Sequence, residues 1–294
     1  EGTHYTDITG ENHWVKKQMD LYNGEAISKG VRVIPSCGYD SLPSDIGTLF
    51  AINQMNKPVK KVEVFHSASG GASGGTIESI FSMGKLPKEM RDPFLLNPKE
   101  SVSDFQRKKS ADSLSIRWIE EAQKWSGLGL FSVANTRVVR RSAALMEMNQ
   151  KSYGNNFIYK EYGAYASKNS ARIASIGLIL SFLIISTPLK WLIRRFLPQP
   201  GEGPSLEVQN NGWFKGVFVA EAEDGEKQVS IIYGEGDPGY KSTSKMLCES
   251  ALTIALSDNL PGGEDFGGFL TPAIGLGIPL IERLKKADIK FEVV

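Results

Sequence analysis

The stretch Val31–Gly47, VRVIPSCGYDSLPSDIG, constrains the fold of this chain more than any other. Val31, Val33 and Ile34 make a β-branched run that stops at Pro35, and a loop of small and polar residues follows: Ser36, Cys37, Gly38, Asp40 and Ser41. Pro43 followed by Ser44 and Asp45 marks the start of a helix, because proline suits the first turn and short oxygen-bearing side chains satisfy its free N–H groups. Upstream, His4–Thr9 alternates as a short strand, Gly10 breaks it, and Trp14–Ala26 continues at helical spacing through Trp14, Met19, Leu21 and Tyr22. Two successive strand–helix units about 25 residues apart predict a parallel sheet with right-handed crossovers. Thr9–Glu11 and Cys37–Asp40 then sit side by side on one rim, and in open α/β sheets the loops at the carboxyl ends of strands hold the ligand.

A chain of 294 residues with 41% hydrophobic side chains can bury a real core and is long enough for two subdomains. Its 34 basic and 33 acidic residues leave a net charge of +1, so no field attracts nucleic acid and no such partner is expected. Cys37 and Cys248 are far apart and form no CxxC. They predict neither a disulfide framework nor a metal site, and a reducing compartment is the simplest reading.

Val59–Ser67 alternates as a strand, and SGGASGG at 69–75 interrupts it. That glycine run suits either close backbone approach to a ligand, with a helix from Thr76, or a flexible hairpin. Residues 85–112 are polar and read as a surface connection, and Asp112–Trp125 reads as an amphipathic helix through Leu114, Trp118, Ile119, Ala122 and Trp125. Thr136–Arg140 and Asn156–Tyr162 look like strands. Arg140 and Arg141 offer guanidinium groups for a carboxylate or phosphate, and on a strand at most one of the two points into a site.

Ile173–Leu189, IASIGLILSFLIISTPL, is a run of seventeen residues without a charge, flanked by Lys168 and Arg172 before it and Lys190, Arg194 and Arg195 after it. A spanning helix needs about 20 apolar residues. Pro188 and the basic cluster behind it therefore favour a helix lying in or dipping into a membrane interface over a full span. LPQPGEGPS at 197–205 is a linker, and Gly212–Ala220 with Gln228–Tyr233 predicts an antiparallel hairpin. Gly234–Gly239 matches G-x-G-x-x-G, yet Pro238 and the acidic Glu235 and Asp237 suit a pyrophosphate poorly, and no second strand of a βαβ unit is evident. Thr271–Lys286 predicts one apolar helix with Ile274, Ile278, Ile281 and Leu284 on its buried face, followed by a terminal strand.

YTDITGE and VIPSCGYDSLPSDIG resemble the saccharopine dehydrogenase-like oxidoreductases, the group that includes trans-acting enoyl reductases of lipid synthesis. SGGASGGTIES, VVRRSAAL, YGNNFIYKEY, PGEGPS, GDPGY and GGFLTPAIGLGIPLIERL extend the resemblance, in the family's order, over nearly the whole chain. The resemblance implies an α/β fold: the C-terminal part of a Rossmann-type parallel sheet domain with an inserted α+β catalytic domain and a hydrophobic helix. The corresponding divisions are 1–57 for the dinucleotide-binding remnant, 58–266 for the insertion with its hydrophobic helix at 173–193, and 267–294 packing back on the Rossmann part. The family opens with a glycine-rich turn that nothing before His4 matches, so the chain reads as a member lacking that fingerprint, and the choice of NAD or NADP stays open.

The resemblance further implies hydride transfer, which asks the protein to place a nicotinamide against an electrophilic carbon and to supply a proton. Thr9, Gly10, Glu11, Gly38 and Ser41 are the expected cofactor contacts. Tyr39, Cys37, Asp40 and His66 are the unranked candidates for the proton donor. Gly74, Gly75, Thr76, His66 and Arg140 are the expected substrate contacts, the GGT by its place near the family's active cleft. The hydrophobic segment favours a lipid-like substrate reduced at a membrane or lipid-droplet surface reached through 173–195, in a lipid droplet, mitochondrion or other organelle membrane, with a homodimer possible. The alternatives are a non-catalytic lipid-droplet or membrane scaffold that retains the fold, and a soluble saccharopine dehydrogenase in which 173–189 would be buried.

Overall fold

The computed structural model describes residues 2–71, 73–83, 91–194, 197–199 and 201–294. In chain order the first elements are β1 (Tyr5–Thr6), α1 (Asn12–Ser28), β2 (Arg32–Ile34), α2 (Leu42–Met55), β3 (Val59–Ser69) and α3 (Gly74–Met83). Then come α4 (Asp104–Lys109), β4 (Trp118–Ile119), β5 (Lys124–Gly127), α5 (Ser132–Met148), β6 (Ile158–Tyr165), α6 (Lys168–Ile185), α7 (Lys190–Arg194) and α8 (Leu206–Asn211). The last are β7 (Trp213–Ala222), β8 (Lys227–Glu235), α9 (Thr243–Leu256), β9 (Gly268–Phe269), α10 (Pro272–Gly275), α11 (Gly277–Lys286) and β10 (Ile289–Val293).

The two predicted strand–helix units are present, and β1 lies parallel to β2 with Tyr5 opposite Val33. A third short strand, β9, joins β2 in parallel, so the small sheet runs β1-β2-β9. Everything from β3 to β8 is inserted between β2 and β9. The inserted strands, with the terminal β10, build a larger mixed sheet in the order β10-β8-β7-β3-β6-β5-β4, in which β3 and β6 are parallel and the other pairings antiparallel. The terminal strand, expected on the Rossmann part, instead pairs with β8 and closes the edge of the larger sheet.

The helix read over Asp112–Trp125 is a β-hairpin, β4 with β5. Its Trp and Ile residues are strand formers, and Trp118 opposite Trp125 packs edge to face at 5.9 Å, a cross-strand aromatic pair that a helix could not make. Thr136–Arg140, read as a strand from its β-branched residues, lies inside the helix α5, where burial overrides intrinsic preference. The single helix expected over 271–286 breaks between α10 and α11, because Gly277 adopts φ +56° and Pro279 cannot donate in the first turn of α11. Part of the expected surface connection at 85–112 falls outside the described residues; within the rest, Phe94 and Leu96 are buried and α4 forms behind a Ser103–Gln106 capping box.

α2 holds the two sheets together. It packs against β7, β8, α5, α10 and α11, and an unbroken run from Leu42 to Ile52 is buried, so only Asn53 and Gln54 in its last turn are exposed. Gly47 is the contact point: a Cβ there would lie 2.2 Å from the Phe218 ring and 2.5 Å from Ile232. We expect Gly47→Ala to destabilise the fold by about 1–3 kcal/mol or more, the scale of overpacked cores. Denaturant unfolding of the variant beside the wild type checks this.

Candidate functional site

The two rim loops meet as the spacing predicts, and the residue that joins them is Asp7. Its Oδ1 accepts from the Thr9 N–H at 2.9 Å and from the Ser36 N–H at 3.0 Å, while the Cys37 N–H donates to the Asp7 carbonyl at 2.7 Å. The Ser36 hydroxyl completes the seam by donating to the Thr9 carbonyl at 2.8 Å. Ser36 is held at φ +65°, a left-handed backbone that a non-glycine residue adopts under constraint. Asp7 was not among the expected site residues; its signal is the Asp-x-Thr turn directly after a strand, where a short carboxylate caps its own loop.

Gly10 and Asp40 face each other across this rim. A Cβ on Gly10 would stand 3.0 Å from Asp40 Oδ2, so the two loops close on each other because Gly10 has no side chain. Asp40 forms no hydrogen bond among the described residues, and burial pushes its carboxyl up to about 6. Thr9 turns its hydroxyl to the Glu11 N–H at 3.2 Å. Gly38 packs under Ile8 and Thr243, and the Tyr39 N–H donates to Thr243 Oγ1.

Two expected residues are withdrawn from the site by burial. Cys37 has 0% exposure, its thiol donates to the Ile34 carbonyl at 3.3 Å, and burial pushes its pKa up, so it packs rather than reacts. Arg140 lies in α5, not on a strand. Its Nη1 donates to Asp112 at 2.9 Å and to the Pro93 carbonyl at 2.9 Å, with its guanidinium over the Phe94 ring. Arg141 beside it is also buried and donates to the Leu96 and Phe269 carbonyls. Both arginines therefore staple loops to α5.

The glycine run lies one loop away from the rim. Gly74–Thr76 open α3, with Ser73 Oγ accepting from the Thr76 N–H at 3.0 Å and the Gly74 N–H donating to the Glu202 carbonyl. Gly70 and Gly71 pack so tightly on Pro238 and Pro204 that a Cβ would lie within 2.7 and 2.5 Å of them. The Pro238–Ser242 π-helical turn connects this region to the rim, since Thr243 Oγ1 donates to the Pro238 carbonyl and accepts from Tyr39. The G-x-G-x-x-G at 234–239 serves this turn: β8 is antiparallel to its neighbours, and the strand after α9 joins the other sheet.

Tyr39, His66, Phe131 and Phe214 gather where the rim meets the carboxyl ends of β3 and β6. The Tyr39 ring is edge-on to His66 at 6.4 Å, Phe131 at 6.3 Å and Phe214 at 5.3 Å. Beneath it lies a buried polar network. Glu161 accepts from Asn135 Nδ2 at 2.7 Å, from the Tyr159 hydroxyl at 2.7 Å and from the Ser44 hydroxyl at 2.8 Å. His66 Nε2 lies 2.9 Å from Ser44 Oγ and 3.8 Å from Glu161. Ser41 is part of this network rather than open to a ligand; it is 1% exposed and donates to Asn135 Oδ1. Ser44, Asn135, Tyr159 and Glu161 were not anticipated; the available signal was an acid at Glu161 in the inward register of Phe157 and Tyr159.

Next to Ser44, Asp45 turns the other way and ties α2 to α10. It accepts from the Ser142 hydroxyl and, at 2.8 Å, from the Ala273 N–H. Burial pushes its carboxyl up to about 7, against about 3.9 for an exposed aspartate. The folded state thus binds this proton more tightly than the unfolded chain. The stabilisation is full below about pH 4 and is lost as pH rises through about 7. Melting temperatures between pH 4 and 8 should therefore fall more steeply for the wild type than for Asp45→Asn; parallel curves would refute the raised pKa.

No family model matches the chain. A Mycobacterium tuberculosis protein named as a candidate trans-acting enoyl reductase is 30% identical over 318 residues, covering 99% of this chain and 74% of its own length. Trans-acting enoyl reductases of Mycobacterium ulcerans and Mycobacterium leprae are 29% and 28% identical, each covering 98% of this chain and 73% of their own. Among solved structures, apo histidine-tagged saccharopine dehydrogenase (L-Glu forming) from Saccharomyces cerevisiae aligns with 94% of this chain and 77% of its own, at 13% identity and a TM-score of 0.39. At 30% identity to the Mycobacterium tuberculosis protein across nearly its whole length, the chain belongs to the family of the trans-acting enoyl reductases.

Proposed function

We propose that this chain is an NAD(P)-dependent reductase of a lipid-linked enoyl substrate, working at a membrane surface into which α6 inserts. The observation that carries the membrane part is the exposure of α6. Of its 18 residues, with mean hydropathy 1.4, 11% are buried, and Ile173, Ile176, Leu180 and Leu183 are between 51 and 72% exposed. The burial expected of a soluble dehydrogenase is not what this helix shows. Each such side chain gains roughly 1.5–3 kcal/mol on full removal from water, so four of them supply a strong drive toward lipid.

The geometry favours dipping over spanning. A helix of 18 residues is about 27 Å long at about 1.5 Å per residue, slightly short of the ~30 Å hydrocarbon core. Its first turns are also held by protein. Ala171 is buried, and Ser175 Oγ donates to the Ala171 carbonyl and accepts from the Leu128 N–H. Beyond Pro188 the chain turns back, and Arg194 reaches Glu78 on α3 and the Pro198 carbonyl. An apolar helix anchored at its base and doubled back at its tip suits insertion into one leaflet, with Lys168 and Arg172 at the base placed for headgroups.

The rim fits the nicotinamide end of a cofactor. Gly10 brings its backbone close against Asp40, where a Cβ would stand 3.0 Å from Oδ2, and Asp7, Glu11 and Asp40 make the rim acidic, which suits a neutral or cationic ring and not a pyrophosphate. When bound there, the cofactor supplies hydride to the substrate. The chain's own share is to hold that ring against Tyr39, to exclude water with Phe131 and Phe214, and to provide a proton.

Two measurements test the reading. The wild type is expected to float with phosphatidylcholine–phosphatidylglycerol vesicles, and the double variant Ile176→Asp/Leu180→Asp to lose at least tenfold in partitioning with an unchanged melting temperature. NADPH or NADH is expected to bind the full-length protein, glycine-rich turn included, with a dissociation constant of about 1 μM, about −8 kcal/mol, and Gly10→Val to weaken it at least tenfold. A wild type that ignores vesicles removes the membrane element, and one that binds neither nucleotide removes the reductase.

A further inference from the structure

Within the network under Tyr39, hydrogen-bond direction fixes the state of His66. Glu161 accepts the Ser44 hydroxyl proton at 2.8 Å, so Ser44 Oγ has only lone pairs to offer its neighbour at 2.9 Å. The network thus assigns the proton to His66 Nε2, which donates it to Ser44 Oγ. Nδ1 is left as the bare nitrogen. It is buried and has no partner among the described residues. Leaving such an atom unpaired costs about 1–3 kcal/mol, and orphaned buried polar atoms in native folds call for an explanation.

The surroundings of His66 point to a reacting group. On the sheet it lies between two glycines, Gly163 of β6 and Gly216 of β7, and a Cβ on Gly216 would stand 3.3 Å from Nδ1. The side chain is 14% exposed at the carboxyl end of β3, where the Tyr39 ring from the rim meets it. Glu161, itself 6% exposed and held by Asn135 and Tyr159, keeps an acid 3.8 Å from Nε2. That is the arrangement in which an imidazole can carry a second proton briefly, because the charge formed has a fixed counter-charge.

We infer that His66 is the acid–base residue of this site, exchanging the proton at Nδ1, and that Ser44 and Glu161 are its positioning residues. This rests on the reductase reading above. In an enoyl reduction a reduced nicotinamide held at the rim would supply hydride to the substrate Cβ and be oxidised, and the C=C electron pair would move toward the carbonyl as an enolate. The Cα then takes the proton from Nδ1–H of the imidazolium: that N–H bond breaks, the new C–H bond forms, and His66 returns to the neutral Nε2–H form. A proton taken up from solvent at Nδ1 in the next cycle regenerates the imidazolium, so each turnover consumes one solvent proton. Burial lowers the His66 pKa while Glu161 opposes the drop, which keeps the ring neutral at rest and makes the transient imidazolium a willing donor.

Two readouts on the full chain test the assignment. The chain has three histidines, so nitrogen-15 NMR of the imidazoles can be assigned by single substitution. His66 is expected as the Nε2–H form with an unprotonated Nδ1, and Glu161→Gln to change that population; an Nδ1–H form in the wild type overturns the inference. Kinetically, His66→Gln keeps a nitrogen near the Nε2 position to bond Ser44 but has nothing at Nδ1. With NADPH and trans-2-hexadecenoyl-CoA as probes, it should lose at least about 100-fold in turnover, with nucleotide affinity and melting temperature within twofold and two degrees of wild type. A wild type that turns over beside an equally active His66→Gln overturns the His66 assignment alone. A wild type that binds no nucleotide overturns the reductase reading and the assignment with it.

Discussion

The structure depends on one helix that is buried without a break from Leu42 to Ile52. α2 leaves the rim loop at Leu42 and is enclosed by the larger sheet, by α5 and by the α10–α11 pair. A helix enclosed on every face must either be wholly apolar or satisfy each polar group internally. α2 does the second: Ser44, Asp45 and Thr48 are fully buried, and each is hydrogen-bonded. Gly47 lets Phe218 and Ile232 approach the helix backbone, so the distance from α2 to the larger sheet is set by a missing side chain.

From that constraint the site follows. Because α2 begins where the rim ends, its first-turn residues are the hinge between the rim loops and the larger sheet. Ser44 faces β3 and β6 and holds His66 and Glu161, while Asp45 faces α5 and α10 and fixes the return of the chain to the small sheet. A single PSD sequence thus aims one polar side chain at each half of the molecule. Shifting α2 by a fraction of its diameter would separate Tyr39 from His66, since the rim and β3 are registered to each other through it.

The arginines illustrate how the same chemistry can be spent on structure. Arg32, Arg140 and Arg141 are each less than 7% exposed. Arg32 donates to the Gly275, Pro261 and Gly263 carbonyls, and Arg141 to the Leu96 and Phe269 carbonyls. Planar guanidinium groups with several fixed donors can gather carbonyls from loops that lack ladders of their own. A basic pair that looks like an anion grip in sequence is here a clamp on irregular backbone.

The strand–loop–helix at 31–47, the parallel pairing of β1 and β2, the β7–β8 hairpin and the apolar run of α6 were all legible in the sequence. Each is written in local periodicity, proline and glycine placement, or length, which act between near neighbours. The helix read at 112–125 and the strand read at 136–140 failed where a contact across the fold outweighs local preference: Trp118 on Trp125 in one case, burial of Arg137 and Arg140 against Asp112 in the other. The rim was half legible, since spacing brought Gly10 and Asp40 together, while Asp7 as its clasp was not. The network of Ser44, His66, Asn135, Tyr159 and Glu161 lay beyond reach, because its members are spread over more than a hundred residues and meet only when α2, α5, β3 and β6 are packed. The sequence by itself determined which elements form and that one helix would be apolar on every face. Only the tertiary structure decided which polar groups are buried together and that α6 stays outside, because burial is a property of the packed molecule and not of any segment.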